Sequence, residues 1–273
     1  NEVMGDPAQK KFVVAGPQLQ TVYVTLNTQM KPLDDVRVRK AINMAINKDR
    51  IIQLINGRAI VANQPLPNRI PGYAKDYKGY PYDPDGAKAL LKEAGLEKGF
   101  ETELYSTNVD PNPRIAQAIQ QDLAAIGIKA SIKALDQANV IAAGGTPNTA
   151  PMIWSGGMAW IADFPDPSDF YGPILGCGSA VQGGWNWSWY CNKDREAEAK
   201  EADSIIDPAK QDERFAKWKD IFVKIMDDAP WVPVFDEVRY TMHSPRVAGE
   251  PAMFNDPIHI PINYENVYAT DAQ

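Results

Sequence analysis

Asp163, Asp166 and Asp169 recur at intervals of three in a stretch that opens on Trp160 and carries Pro165 and Pro167. Carboxylates this close in sequence suit two chemistries. Two of them at the right separation form the acid and base pair of glycoside hydrolysis. One of them beside an indole suits a ligand with a cationic end, such as an α-amino group. The prolines push Phe164 and Asp166 toward extended backbone, so residues 160–167 are expected to form an ordered loop. The plain alternative is a turn whose Trp is core and whose acids face water.

Trp185, Trp187 and Trp189 alternate, and in an extended segment they share one face. Such a face stacks on a ligand or packs over neighbouring structure. The two cysteines, Cys177 and Cys191, bracket these tryptophans. A disulfide between them would close a loop of about 15 residues and stabilise the fold by roughly 3 kcal/mol, as suits an oxidising compartment. Two unrelated buried thiols are the alternative. Zinc is disfavoured, since two thiols lack the further ligands a tetrahedral site needs.

The sequence contains no HExxH, GxSxG or GxxxxGK[ST]. His243 and His259 stand apart from any nucleophile and are expected to be structural. Asp83-Pro84-Asp85-Gly86 begins like a calcium loop, but Ala94 stands where that loop needs Glu, so helix capping is the better account. An enzyme is therefore not expected, nor a metal or cofactor.

Positioning these residues requires a core, and 273 residues suffice for one large or two smaller domains. The 28 basic against 35 acidic side chains give a net charge of −7 with no basic stripe, which argues against nucleic acid as partner. No apolar run approaches the roughly 18 residues that a membrane span needs.

Periodicity predicts a strand over 21–27, helices over 34–46 and 48–55 (the second capped by Asn47), and a Pro/Gly/Tyr-rich loop over 63–84. A short helix over 84–94 follows. Next come a strand at 100–106, a helix at 113–126, a strand at 128–135, a weak helix at 137–143 and a buried strand at 151–155. That order predicts an α/β lobe with parallel pairing. Two helices (193–206 and 208–228) and a closing strand (231–242) complete the pattern. Phe215, Trp218, Phe222 and Ile225 form a helical stripe expected to be core.

Several stretches taken together resemble family 5 of the extracytoplasmic solute-binding proteins of ABC importers, the dipeptide- and oligopeptide-binding family. They are Asn27-Thr28-Gln29 with 32–42, then 45–52, 82–95, 116–128 and Asp228-Ala229-Pro230-Trp231-Val232-Pro233. The resemblance implies a periplasmic-binding-protein-like α/β fold: the C-terminal lobe, a mixed sheet flanked by helices, plus terminal segments of the other lobe. Residues 1–30 then read as a remnant of lobe I, 31–240 as the ligand-binding lobe II, and 241–273 as a return to lobe I. The segment corresponds to the C-terminal half of a family member, so a fragment, a nicked half or a short paralogue is expected. Its terminal pieces are expected to lack a sheet to join.

The resemblance also implies a site. Trp160 and Asp163 fall on a Trp-x-x-Asp that lines the cleft, with Asp163 pairing a peptide's α-amino group. Phe164, Trp185 and Trp187 are expected to border it, and Cys177 to bond Cys191. The implied partners are a short peptide, a membrane ABC permease and the missing N-terminal half. The implied location is periplasmic or extracellular, a lipid anchor being one form of it. The alternatives are a non-peptide solute such as an oligosaccharide or an opine, and a stand-alone assembly module.

Overall fold

The computed structural model describes residues 2–248 and 267–270. Two short helices, α1 (Glu2–Gly5) and α2 (Pro7–Lys10), precede strand β1 (Val13–Leu26). Helices α3 (Val36–Ala45) and α4 (Lys48–Leu54) lead to β2 (Ala59–Val61). After a long loop come α5 (Pro84–Glu93), β3 (Phe100–Thr107), α6 (Asn112–Ala125), β4 (Ile128–Leu135), α7 (Gln137–Gly144) and β5 (Met152–Trp154). Helices α8 (Pro167–Tyr171), α9 (Lys193–Asp203) and α10 (Gln211–Asp228) precede β6 (Trp231–Met242). A small ladder pairs β7 (Val247–Ala248) with β8 (Tyr268–Ala269).

Helix starts are written in short polar side chains that satisfy the first free N–H groups. Asp35 accepts from Arg37 N–H, Asn47 from Arg50, Asp83 from Gly86, Asp136 from Asn139, and Asn192 from Asp194 and Arg195. The capping expected at Asn47 and Asp83 is thus present. Helix α10 begins at Gln211, because Pro208–Lys210 forms a separate 3-10 turn.

Six strands form one mixed sheet in the order β2-β6-β1-β5-β3-β4. Strands β4, β3 and β5 run parallel, with α6 as the crossover between β3 and β4. Strands β5, β1, β6 and β2 pair antiparallel in turn. Because side chains alternate along a strand, β5 serves two cores. Met152 and Trp154 enter the main core, while Ile153 between them joins a smaller one with Val140, Ala143, Ala150 and Trp187. Of the stripe on α10, Trp218, Phe222 and Ile225 are buried, and Phe215 is partly so.

Strand β1 lies inside the sheet, with Val24 opposite both Trp154 of β5 and Val232 of β6. Its residues 18–26 are buried, and Tyr23 stacks on Trp231 with ring centroids 3.5 Å apart. A run that alternates so strongly finds its sheet within this chain, so those residues are not left without a partner. The expected return of 241–273 to another lobe, and His259, lie largely outside the described residues. His243 is within them, and its Nδ1 lies 3.0 Å from the carbonyl of Ser244.

Candidate functional site

The loop bearing the three acids hangs from the middle of β1. Gln20 forms a single antiparallel bridge with Ile161, its Nε2 donates to the Ala159 carbonyl at 2.7 Å, and Ala162 N–H donates to the Leu19 carbonyl at 3.0 Å. The extended geometry that the prolines impose makes this bridge available. Immediately beyond it the chain turns into α8.

Each acid then takes a different role. Asp166 caps α8, accepting from the N–H and the hydroxyl of Ser168 at 2.9 and 2.7 Å. Arg214 of α10 grips the same carboxylate with two nitrogens, at 2.6 and 2.8 Å, and reaches Asp203 at 2.9 Å. Burial works against ionisation of Asp166, but the Arg214 guanidinium and the Ser168 donors outweigh it and hold the carboxyl below its ordinary value. Asp169 is buried, and its Oδ2 accepts from the backbone N–H of Asp163 at 2.9 Å and from the indole of Trp160 at 3.3 Å. Burial raises its carboxyl above the ordinary range, against the pull of those two donors. Asp163 is exposed, and its side chain makes no hydrogen bond or ion pair among the described residues. Two of the three acids are therefore occupied by structural bonds, an arrangement that offers no support for a paired-carboxylate mechanism.

The aromatic residues divide similarly. Trp160 is partly buried and meets Trp185 edge-on with ring centroids 6.3 Å apart, and Trp185 meets Trp187 at 5.6 Å. Trp185 and Phe164 are exposed, by 43% and 50%, whereas Trp187 is 3% exposed and belongs to the smaller core. The shared face expected of Trp185, Trp187 and Trp189 does not form. The segment turns instead of extending, with Trp189 N–H donating to the Asn186 carbonyl and Trp189 at φ 51°. The Trp189 ring is thereby sent inward to bond the Gly144 carbonyl at 3.1 Å. Cys177 and Cys191 are disulfide-bonded. Inside that closure Asn186 donates to the carbonyls of Gly176 and Tyr190 at 3.1 and 2.8 Å.

What results is one exposed carboxylate beside a partly exposed indole wall, on a loop held by β1, by Asp169 and by the Asp166–Arg214 clamp. An ammonium group is the chemical complement, since it meets the carboxylate by a charge-assisted hydrogen bond and the rings by cation–π attraction. Sequence reasoning missed Gln20 and Arg214 altogether and did not separate the duties of Asp166 and Asp169. The Asp-Pro step before a short helix was a usable capping signal for Asp166; nothing in the local sequence marks the other two.

A model of the bacterial extracellular solute-binding proteins, family 5 Middle, matches residues 3–182. The chain is 37% identical to the dipeptide-binding protein of Escherichia coli strain K12 over 240 residues, which cover 82% of the chain and 42% of that protein. It is 35% identical to the heme-binding protein A of Haemophilus influenzae over 237 residues, covering 85% and 42% respectively. Among solved structures, it superposes on the ABC transporter-associated periplasmic binding protein DppA from Helicobacter pylori, in complex with peptide STSA, with a TM-score of 0.85. That match has 30% identity and covers 98% of this chain and 50% of the other. The chain thus spans half or less of the length of each of these proteins.

Proposed function

Because this chain belongs to the bacterial extracellular solute-binding proteins of family 5, we propose that it holds a short peptide by its free amino terminus outside the cytoplasm. Asp163 pairs with the ligand ammonium, while Trp160 and Trp185 wall it and Phe164 borders it. Trp187 acts from beneath, buried against Trp185. The observation that carries this reading is the solitary exposed carboxylate of Asp163, oriented through its own N–H by the buried Asp169. The peptide-binding names among the relatives agree with it. The protein is a binder rather than a catalyst, and the bound peptide is handed to a membrane ABC permease. The larger part of β1 and β6 belongs to the ligand-binding lobe, and their outer ends lead toward a second lobe.

Calorimetry tests the amine contact directly. A free dipeptide is expected to bind, and its N-acetylated form to bind at least about tenfold more weakly, the loss of one charge-assisted contact. Asp163→Ala is expected to remove that difference with the fold intact; equal binding of both forms by the unsubstituted protein would refute the contact. A non-peptide solute (an oligosaccharide, an opine or haem) is the second reading, favoured by the exposed ring faces of Trp185 and Phe164.

A further inference from the structure

At the β2 edge of the sheet lies a cavity of about 440 Å3, within the roughly 300–1,000 Å3 of small-molecule sites. Its walls come from three places: the α3–α4 turn with the start of α4, the end of β2, and the loop that carries Tyr80 and Tyr82. Strand β6 separates β2 from β1, which holds the Asp163 loop. Two strand spacings amount to about 10 Å, and no residue of the Asp163 loop or of its tryptophans lines this cavity.

The tyrosine loop is pinned on both sides of its two rings. Before them Gly79, at φ 67°, packs so closely on Asn63 that an added side-chain carbon would stand 2.9 Å from it, a position that calls for glycine. After them Asp83 N–H donates to the Met44 carbonyl at 2.8 Å. Between these points the Tyr80 hydroxyl donates to the Met226 carbonyl at 2.7 Å. Tyr82 leaves its ring 54% exposed beside the cavity.

Within these walls lies a charge with no counter-charge in contact. Lys48 is 9% exposed, and its Nζ makes one hydrogen bond among the described residues, to the Ala62 carbonyl at 2.9 Å. Ala62 stands between Val61 and Asn63, both in the lining, so the ammonium sits at the cavity wall. An ammonium has three N–H donors, so two are unspent. Lysine is seldom buried without a partner of opposite charge, since taking the charge out of water is costly. Asp49, exposed and also in the lining, forms no ion pair with it among the described residues. Burial pulls the ammonium down to about 8, against the opposing influence of the Asp49 carboxylate. The side-chain amides of Gln53 and Asn63 line the same cavity and make no hydrogen bond among the described residues.

We propose that this cavity is a second ligand site, for a small organic oxyanion: an aryl carboxylate or aryl phosphate whose anionic group meets Lys48, Asn63 and Gln53 and whose ring lies against Tyr80 and Tyr82. The unspent ammonium donors select the negative charge, and the tyrosine rings select a flat apolar body. The site is independent of the amine contact at Asp163.

Calorimetry of this chain with benzoate, phenyl phosphate and inorganic phosphate, and with phenol as the uncharged control, tests it. Benzoate or phenyl phosphate is expected to bind at least about tenfold more tightly than phenol and than inorganic phosphate, and the tighter of the two identifies the oxyanion. Lys48→Met keeps an unbranched apolar stem, and is expected to weaken that probe at least about tenfold without lowering the melting temperature, since it leaves no buried charge behind. Asn63→Ala is expected to weaken it several-fold, and Asp163→Ala to leave it unchanged. In the unsubstituted protein the probe is expected to slow acylation of Lys48 by an amine reagent, read by peptide mass mapping, a measurement that stands even where Lys48→Met does not fold. Undiminished binding in Lys48→Met, phenol binding as tightly as the anions, or an unprotected Lys48 would overturn the site. Displacement of the probe by a free dipeptide would also overturn it and move the anion to the Asp163 loop. Absence of binding by every probe would overturn the site and leave the amine contact, which the N-acetyl comparison tests, untouched.

Discussion

At the residue scale, Asp169 deserves as much weight as Asp163, although only Asp163 faces solvent. A buried carboxylate that accepts from two donors fixes both, and removing it leaves an indole N–H and a backbone N–H without an acceptor. Asp169→Ala is expected to cost about 1–3 kcal/mol in chemical denaturation, and to shift the Trp160 indole N–H resonance and speed its exchange. Asp169→Asn keeps one acceptor oxygen and should restore part of both. An unshifted indole signal in the alanine variant would remove Asp169 from this role. The ordered loop that exposes Asp163 was legible in the sequence, because Pro165 and Pro167 stiffen it. The service of Asp169 was not, since a bond from residue 169 back to 163 depends on how a loop folds over a helix start and follows no helical or strand period. The three alternating tryptophans misled for the complementary reason. Alternation implies a shared face only if the backbone is extended, and Trp189 at φ 51° breaks that condition.

At the scale of elements, helices and strands were largely readable. Caps such as Asn47 and Asp83, and the alternation of Ile128, Ala130 and Ile132, are local signals written within one turn or one pleat. Pairing between distant elements was not. Nothing near Val24 announces that it sits between Trp154 and Val232, and so the place of Val13–Leu26 inside this sheet was not legible. The contact of α7 with the tryptophan loop is similarly long-range. A side-chain carbon added at Gly144 would stand 2.6 Å from the Trp187 ring. Gly144→Ala is therefore expected to destabilise by about 1–3 kcal/mol, the usual cost of overpacking, and to disturb the near-ultraviolet signal of the tryptophans. An unchanged melting temperature would show that α7 and the loop are less tightly apposed than the structure has them.

At the scale of the whole molecule, one buried acid ties the sheet to the long loop. Asp236 of β6 accepts from the Thr21 hydroxyl of β1 at 2.9 Å and from Asn68 N–H at 3.1 Å. Burial pushes its carboxyl up to about 7, while those two donors pull the other way. Since the folded value exceeds the unfolded one, the folded chain binds the extra proton between about pH 4 and pH 7. The contribution of this group to stability is thus fully present below about pH 4 and declines as pH rises to about 7, by up to about 4 kcal/mol. Carboxylates held low, Asp166 among them, give the opposite slope, so the comparison must be with a variant. Asp236→Asn is expected to cancel the decline, making the gap between variant and parent depend on pH across that window. A parallel pair of stability curves would refute it.

The outer part of the β1–β6 pairing has a mechanical consequence. From Val13 to Pro17, β1 pairs with residues 238–242 alone, whereas further in it is flanked by β6 and β5. A register shift lies between Pro17 and Thr21, where the narrow ribbon joins the six-stranded slab. Narrow two-stranded ribbons take up twist more readily than wide sheets, and irregularities in pairing are where strands bend. The joint therefore acts as a torsion spring: a load applied at Val13 or Met242 twists the ribbon before it disturbs the slab. Gln18 and Gln20 stand at that joint, so the strand that tethers the Asp163 loop through Gln20 is also the one that feels the torque.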